Sequence, residues 1–305
     1  MKGDSNMNII ELSKDEFNHL EPFNLIEGIL EKESDMYYSP NSQNEIIKVY
    51  KNYQNKKYID EKMETIDNLI KYTTELDFPE LLVPNGILKV DGNIMGPIYP
   101  RIHGYTSRIY FYTFYCPTKV KIEILRKIGL LLEKIKNTNP KYNAAFSDVH
   151  VDNFMIPGFP SNNVEKSPNF NIIACDTDSM KIYNSPGITG YYLFDSDKMS
   201  YYEKYPLDSE GFVKASSNTD IFCYIMMILD LISKSEYVYC LNEDEYYRYL
   251  DYLDKLGFDS SLLESFASVY EDDIDNISPL PYLNSLTKIS KKSSLQAFYK
   301  TRLKK

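Results

Sequence analysis

Residues Thr219 to Ser233 (TDIFCYIMMILDLIS) are apolar almost all the way round, and this constrains the fold more than any other stretch. A helix apolar on one side lies against a core, whereas a helix apolar on every side has to be the centre of one. The segment therefore predicts a helical lobe with other helices wrapped around it. Its apolar run, Ile221 to Ile232, is too short to span a bilayer and contains Asp230, so burial in protein is expected.

The rest of the chain supplies such helices, and a sheet before them. Lys119 to Asn137 places Val120, Ile124, Ile128, Leu131, Leu132 and Ile135 at helical spacing, and further helices are predicted at Glu243 to Leu256 and Ser260 to Tyr270. The first third reads differently. Phe23 to Gly28, Asp35 to Ser39 and Glu45 to Tyr50 look like strands. Tyr58 to Leu76 carries a helical stripe at Ile59, Met63, Ile66, Leu69 and Ile70. Asp91-Gly92-Asn93 predicts a tight turn joining strands within 86–99, because Asp-Gly favours the turns that close hairpins. The class is α+β. The expected divisions are an N-terminal extension at 1–21, a small antiparallel sheet lobe with one helix at 22–99, a helical lobe at 100–285, and a basic tail or helix at 286–305. This division suggests one catalytic unit with a cleft between two lobes.

A formal net charge of -10 argues against a general affinity for nucleic acid or anionic membrane, both of which are reached through basic surface. Cys116, Cys175, Cys223 and Cys240 are far apart and form no CxxC pair, so neither a zinc site nor a disulfide framework is predicted. The first residues lack an apolar run of signal-peptide length. A cytoplasmic protein with reduced thiols is the expectation.

The residues that carry chemistry lie in Ser147-Asp148-Val149-His150-Val151-Asp152-Asn153 and at Asp176, which ends the short strand Ile172 to Cys175. An Asp five residues before an Asn, with a second Asp from another element, is the set a phosphotransferase needs to orient a hydroxyl and hold Mg²⁺. Asp148 would accept a hydrogen bond from the attacking hydroxyl. Asn153 and Asp176 would supply hard oxygen ligands. Lys48, in the strand Ile46-Ile47-Lys48-Val49-Tyr50, would be a fixed cation for phosphate. The following helix offers two partners for it, Glu64 and Glu61, and the pattern prefers Glu64 without deciding between them.

These motifs resemble those of the protein-kinase-like superfamily, over residues 22–285. IIKVY is similar to the VAIK lysine strand. FSDVHVDNFMI resembles the catalytic loop HRDLKxxN, with Asp148 and Asn153 on its Asp and Asn. CDTD stands where DFG would be, with Asp176 on its Asp. PGITGYY resembles the GTPxYxxPE segment, and NTDIFCYIMMIL the SDVWSLGVIL helix. The resemblance implies a bilobal kinase-like fold of a divergent bacterial or viral type, using ATP and Mg²⁺ to phosphorylate Ser or Thr of a protein substrate. It implies adenine beside Tyr99 and Ile102, phosphate over Gly28, and an Asp220 that braces the catalytic loop. The reading of the residues alone leaves Asp220 open to a second role, as a helix N-cap. Through His150, a supporting residue, the loop also resembles the GDxHxxN loop of aminoglycoside and choline phosphotransferases.

The pattern departs from the family in several places. Only Gly28 stands in the phosphate loop, where Glu31 and Glu33 would repel phosphate if they faced inward. Ser147 replaces the Arg that pairs with an activation-loop phosphate, so activity should not require phosphorylation there. Asp178 replaces the DFG glycine and restricts the backbone. A Pro/Asn/Ser-rich insert, 157–169, reads as an exposed loop. A pseudokinase, a binding or scaffold module with little transfer, is the alternative.

Overall fold

The computed structural model describes residues 7–23, 34–112, 116–138, 141–158, 170–185, 187, 213–235, 238–270 and 278–302. The chain divides into two compact units, Met1–His103 and Gly104–Lys305. It is α+β, with a mixed five-stranded sheet in the first unit and a separate three-stranded antiparallel sheet in the second.

In the first unit the strands are β1 (Asn8–Leu12), β2 (Ser34–Tyr38), β3 (Glu45–Tyr50), β4 (Gly86–Val90) and β5 (Asn93–Pro100), in the spatial order β1-β4-β5-β3-β2. Asp91 and Gly92 both have positive φ (48° and 79°) and close the β4–β5 hairpin, as the Asp-Gly pair predicts. Opposite Lys48 the chain needs a glycine: a Cβ on Gly96 would lie 2.0 Å from the Lys48 carbonyl oxygen. One face of the sheet packs Ile10, Ile47, Val49, Leu88, Val90, Met95 and Ile98 into a core. Alternation along β3 then turns Ile46, Lys48 and Tyr50 to the other face.

The first unit corrects the expected all-antiparallel sheet with one helix. Residues 1–21 are no mere extension, because β1 pairs in parallel with β4, and the short helix α1 (Lys14–Asn18) follows it under a Ser13–Glu16 capping box. The larger helix, α2 (Lys56–Leu76), is capped by Asn55 and buries Ile59, Lys62, Thr65, Ile66, Leu69 and Tyr72. The expected stripe had Met63 where the buried residue is Lys62. Of the expected strand at 23–28, Phe23 donates its N–H to the Met36 carbonyl (2.8 Å), and the remainder, with Gly28, lies outside the described residues.

In the second unit β6 (Gly104–Thr106), β7 (Phe154–Pro157) and β8 (Ile173–Ala174) form the small sheet in that order. The helices are α3 (Ser107–Tyr112), α4 (Thr118–Lys136), α5 (Ser217–Ser233), α6 (Glu243–Lys255), α7 (Ser260–Ala267) and α8 (Leu295–Arg302). Helix α5 is buried around its whole circumference, and every residue from Phe222 to Ser233 is buried. Its neighbours grip it through polar groups as well. Tyr224 donates to the Leu125 carbonyl of α4 (2.7 Å), and Ser293 donates to the Ile232 carbonyl (3.0 Å). The basic C-terminal segment is helical at α8, where buried Phe298 meets Tyr249 edge to face and Tyr252 at a tilt. Among the described residues no helix is long and apolar enough to cross a membrane.

Candidate functional site

The loop between α4 and β7 is built by α5. Its cap is Ser216, which accepts from Thr219 N–H, so Asp220 is not the cap. The Asp220 carboxylate instead accepts the backbone N–H groups of Phe146 (2.6 Å) and Ser147 (2.8 Å). Burial pushes Asp220 up to about 7, against the pull of those two donors. Ser147 itself is fully buried with φ of 76°, a left-handed backbone that a residue other than glycine adopts at a cost. Its Oγ accepts from Lys181 N–H (3.1 Å), and Ala145 and Lys181 exchange backbone hydrogen bonds of 3.0 Å in both directions. Gly187, at φ 69°, packs on this point; a Cβ there would lie 2.6 Å from Ser147 Oγ. The other residues of the PGITGYY segment lie outside the described set.

Beyond Ser147 the loop turns its functional groups onto one another. Asn153 donates both amide contacts to Asp148, one to its carbonyl and one to Oδ2, each 2.9 Å. His150 Nε2 lies 3.3 Å from the same Oδ2, and its Nδ1 lies 3.7 Å from Asp152 Oδ2. Burial works against charge on His150, but the carboxylates of Asp148 and Asp152 outweigh it and raise the imidazole to about 10. Asp152 in turn is held by Arg108, whose Nε donates to both carboxylate oxygens at 2.8 and 2.9 Å. Burial would raise Asp152; His150 and Arg108 bring it down to about 2. Helix α3 fixes the same turn through its backbone, as Ser107 Oγ (2.6 Å) and Arg108 N–H (3.1 Å) both donate to the Val151 carbonyl.

Asp176 approaches this loop through the sheet. The β7–β8 register pairs Phe154 with Ala174, and Cys175 N–H donates to the Asn153 carbonyl at 2.7 Å, so Asp176 follows the residue facing Asn153. Asp176 has φ 57°, a second left-handed non-glycine residue in this site, and such strain gathers where function fixes the backbone. Burial pushes the neighbouring Cys175 thiol up to about 12, so it is a poor nucleophile. With both Asn153 donor contacts on Asp148, an amide oxygen of Asn153 and a carboxylate of Asp176 are the hard donor types that Mg²⁺ takes. Among the described residues no three His, Cys, Asp or Glu side chains gather as a metal group, so any such ion would rest on this mixed amide–carboxylate set.

In the first unit Lys48 is buried and lies 5.6 Å from the centroid of the Tyr50 ring. The expected glutamate partner does not meet it: Glu64 is exposed and makes no ion pair among the described residues, while Glu61 pairs with Lys57 at 3.7 Å. The residue that α2 brings to the Tyr50 ring is Lys62, also at 5.6 Å. Tyr99 is buried at the end of β5, opposite Ile46, and Ile102 is half-buried just beyond it. Sequence reasoning missed Lys62 and Arg108. Lys62 was detectable, since it completes the stripe Ile59, Ile66 and Leu69 at helical spacing. Arg108 lies 44 residues from Asp152, and no local pattern announces it.

The chain matches no protein-family model, and a search of curated proteins finds no match.

Proposed function

We propose that this protein is a divergent protein-kinase-like phosphotransferase that moves a phosphoryl group from ATP to a Ser or Thr hydroxyl of a protein. The observation that carries the reading is the Asp148 carboxylate, oriented by Asn153 and His150 on a loop whose backbone is tied to buried Asp220. Both contacts fall on Oδ2 and hold the carboxylate that would receive the acceptor hydroxyl. His150 beside it holds the Asp148 carboxylate in place. Asp148 orients the hydroxyl first and takes its proton late, as a transition state with little bond formation requires. Magnesium bound to Asn153 and Asp176 would neutralise phosphate charge, and Lys48 of the first unit would bind the phosphates.

Ser147 carries no charge for a phosphate on the segment around Gly187. Gly187 packs on Ser147, where the reading calls for no phosphate. The exposed Glu64, without an ion pair among the described residues, favours a second reading, a pseudokinase that binds nucleotide and transfers little.

Incubation with labelled ATP and Mg²⁺ tests both. Label on added protein substrate, lost in Asp148→Ala and Asp176→Ala, is the expected result. Transfer that survives both substitutions defeats the enzyme reading. Stabilisation by Mg²⁺-ATP without transfer supports the pseudokinase.

A further inference from the structure

Helix α3 is bound at three points to the loop that carries Asp148. Ser107 Oγ and the Arg108 N–H both donate to the Val151 carbonyl, at 2.6 and 3.1 Å, and Arg108 Nε donates to both oxygens of Asp152, at 2.8 and 2.9 Å. The first two bonds hold the backbone of the turn, and a change of the Arg108 side chain leaves both donors in place. The third bond holds a side chain. Asp152 passes that constraint on, because it faces the Nδ1 edge of His150 with its own N–H (3.2 Å) and with Oδ2 (3.7 Å). It therefore offers an acceptor when Nδ1 carries a proton and a donor when it does not. In either state the opposite ring nitrogen, Nε2, is turned to Asp148 Oδ2 at 3.3 Å. Side-chain exposure falls along the series, from 37% at Arg108 through 24% at Asp152 and 17% at His150 to 14% at Asp148, so the outer end is where a substitution disturbs folding least.

We infer that Arg108 is a positioning residue for phosphoryl transfer, aiming the Asp148 carboxylate through Asp152 and His150. The inference rests on the phosphotransferase reading for the reaction, but the coupling of Arg108 to His150 can be measured without any transfer. Asn153 also holds Asp148, yet its amide binds the Asp148 carbonyl as well as Oδ2, so it refers the carboxylate to the backbone of the same loop. His150 refers it to α3, an element 44 residues from Asp152 along the chain. Arginine suits the outer end of such a series, since its guanidinium is planar and stays charged at any pH the fold survives. The Arg108 guanidinium also lies 5.6 Å from the centroid of the Tyr112 ring, one turn along the same helix. A displacement of about 1 Å in a catalytic group can cost about a hundredfold in rate. An ion pair at the edge of the structure can thus matter little for folding and a great deal for transfer.

Two measurements on the full chain test it. The first reads the ring nitrogens of His150 by nitrogen-15 NMR, its signal among the three histidines being the one lost in His150→Gln. Arg108→Met should shift those nitrogens, and Arg108→Lys, which restores a cation opposite Asp152, should shift them less. Unmoved nitrogens in a folded Arg108→Met protein overturn the inference whether or not the protein transfers phosphate. The second measurement follows label from ATP to protein substrate. Arg108→Met should lower kcat about tenfold or more and leave the KM for ATP within about twofold, and Arg108→Lys should recover much of the loss. Arg108→Met should also add little to the loss caused by His150→Gln, because both cut one path. A full further loss in the double variant, or an unchanged kcat in Arg108→Met, overturns the inference alone. Nitrogens that move in Arg108→Met while wild type transfers no label leave the coupling standing and defeat the phosphotransferase reading.

Discussion

Asp220 accepts two backbone N–H groups and Asp148 takes contacts from Asn153 and His150, whereas Lys48 and Lys62 rest over the ring of Tyr50. The two aspartates of the second unit are thus held by directional bonds, and the two lysines of the first unit also lie against a diffuse π face. Hydrogen bonds lose strength steeply with angle, while a cation over a ring tolerates displacement. A directional bond fixes a side chain's orientation, and a ring face fixes only its neighbourhood.

The largest effect that separates the two units should come from Asp220→Ala. It leaves two buried N–H groups without an acceptor, at a cost of about 3 kcal/mol or more read from a urea transition. A cost no greater than that of Lys48→Met would erase the contrast. Gly187→Ala should follow, at about 2 kcal/mol, since it adds a Cβ at positive φ against Ser147 Oγ.

An effect of intermediate size is expected from pH. His150 is raised to about 10 from an ordinary 6.5, so folding takes up a proton between those values. The stability it contributes is complete below pH 6.5 and is lost as pH rises through 10. Melting temperatures across that range should fall in wild type and flatten in His150→Gln. Equal slopes in the two proteins would mean that the Asp148–His150 contact contributes nothing.

Arg108→Ala should cost about 1 kcal/mol, because its pair with Asp152 is partly open to water and screened. Glu64→Gln should change stability by less than about 0.5 kcal/mol, as expected of an exposed side chain outside any network. A larger loss would show that α2 contributes an acid after all.

What could be read from the sequence followed the range of the forces involved. Helix α4 declared itself because burial repeats with the helical period along the chain, and α5 because its apolar run is nearly unbroken. Asp148 and Asn153 were legible because their contact spans five residues and needs both side-chain types. Strand β1 was not legible. Only Ile10 of its five residues is buried, so no alternation marks it, and its partner strand lies far along the chain. On α2 the acids Glu61 and Glu64 are exposed, and Lys62 completes the buried stripe in place of the expected Met63. Arg108 belongs with β1, since its role depends on a turn that only the folded chain brings to it.

The parallel pairing of β1 with β4, residue 8 beside residue 86, also has a consequence for the order of assembly. The β4–β5 hairpin closes through a two-residue turn and can form early, while β1 must wait for a long loop to close. Until it docks, the outer edge of β4 presents unpaired N–H and carbonyl groups that another chain could take. Strand β1 precedes β4 in the chain yet joins it only after the hairpin can have closed, and in that interval the β4 edge is open to another chain.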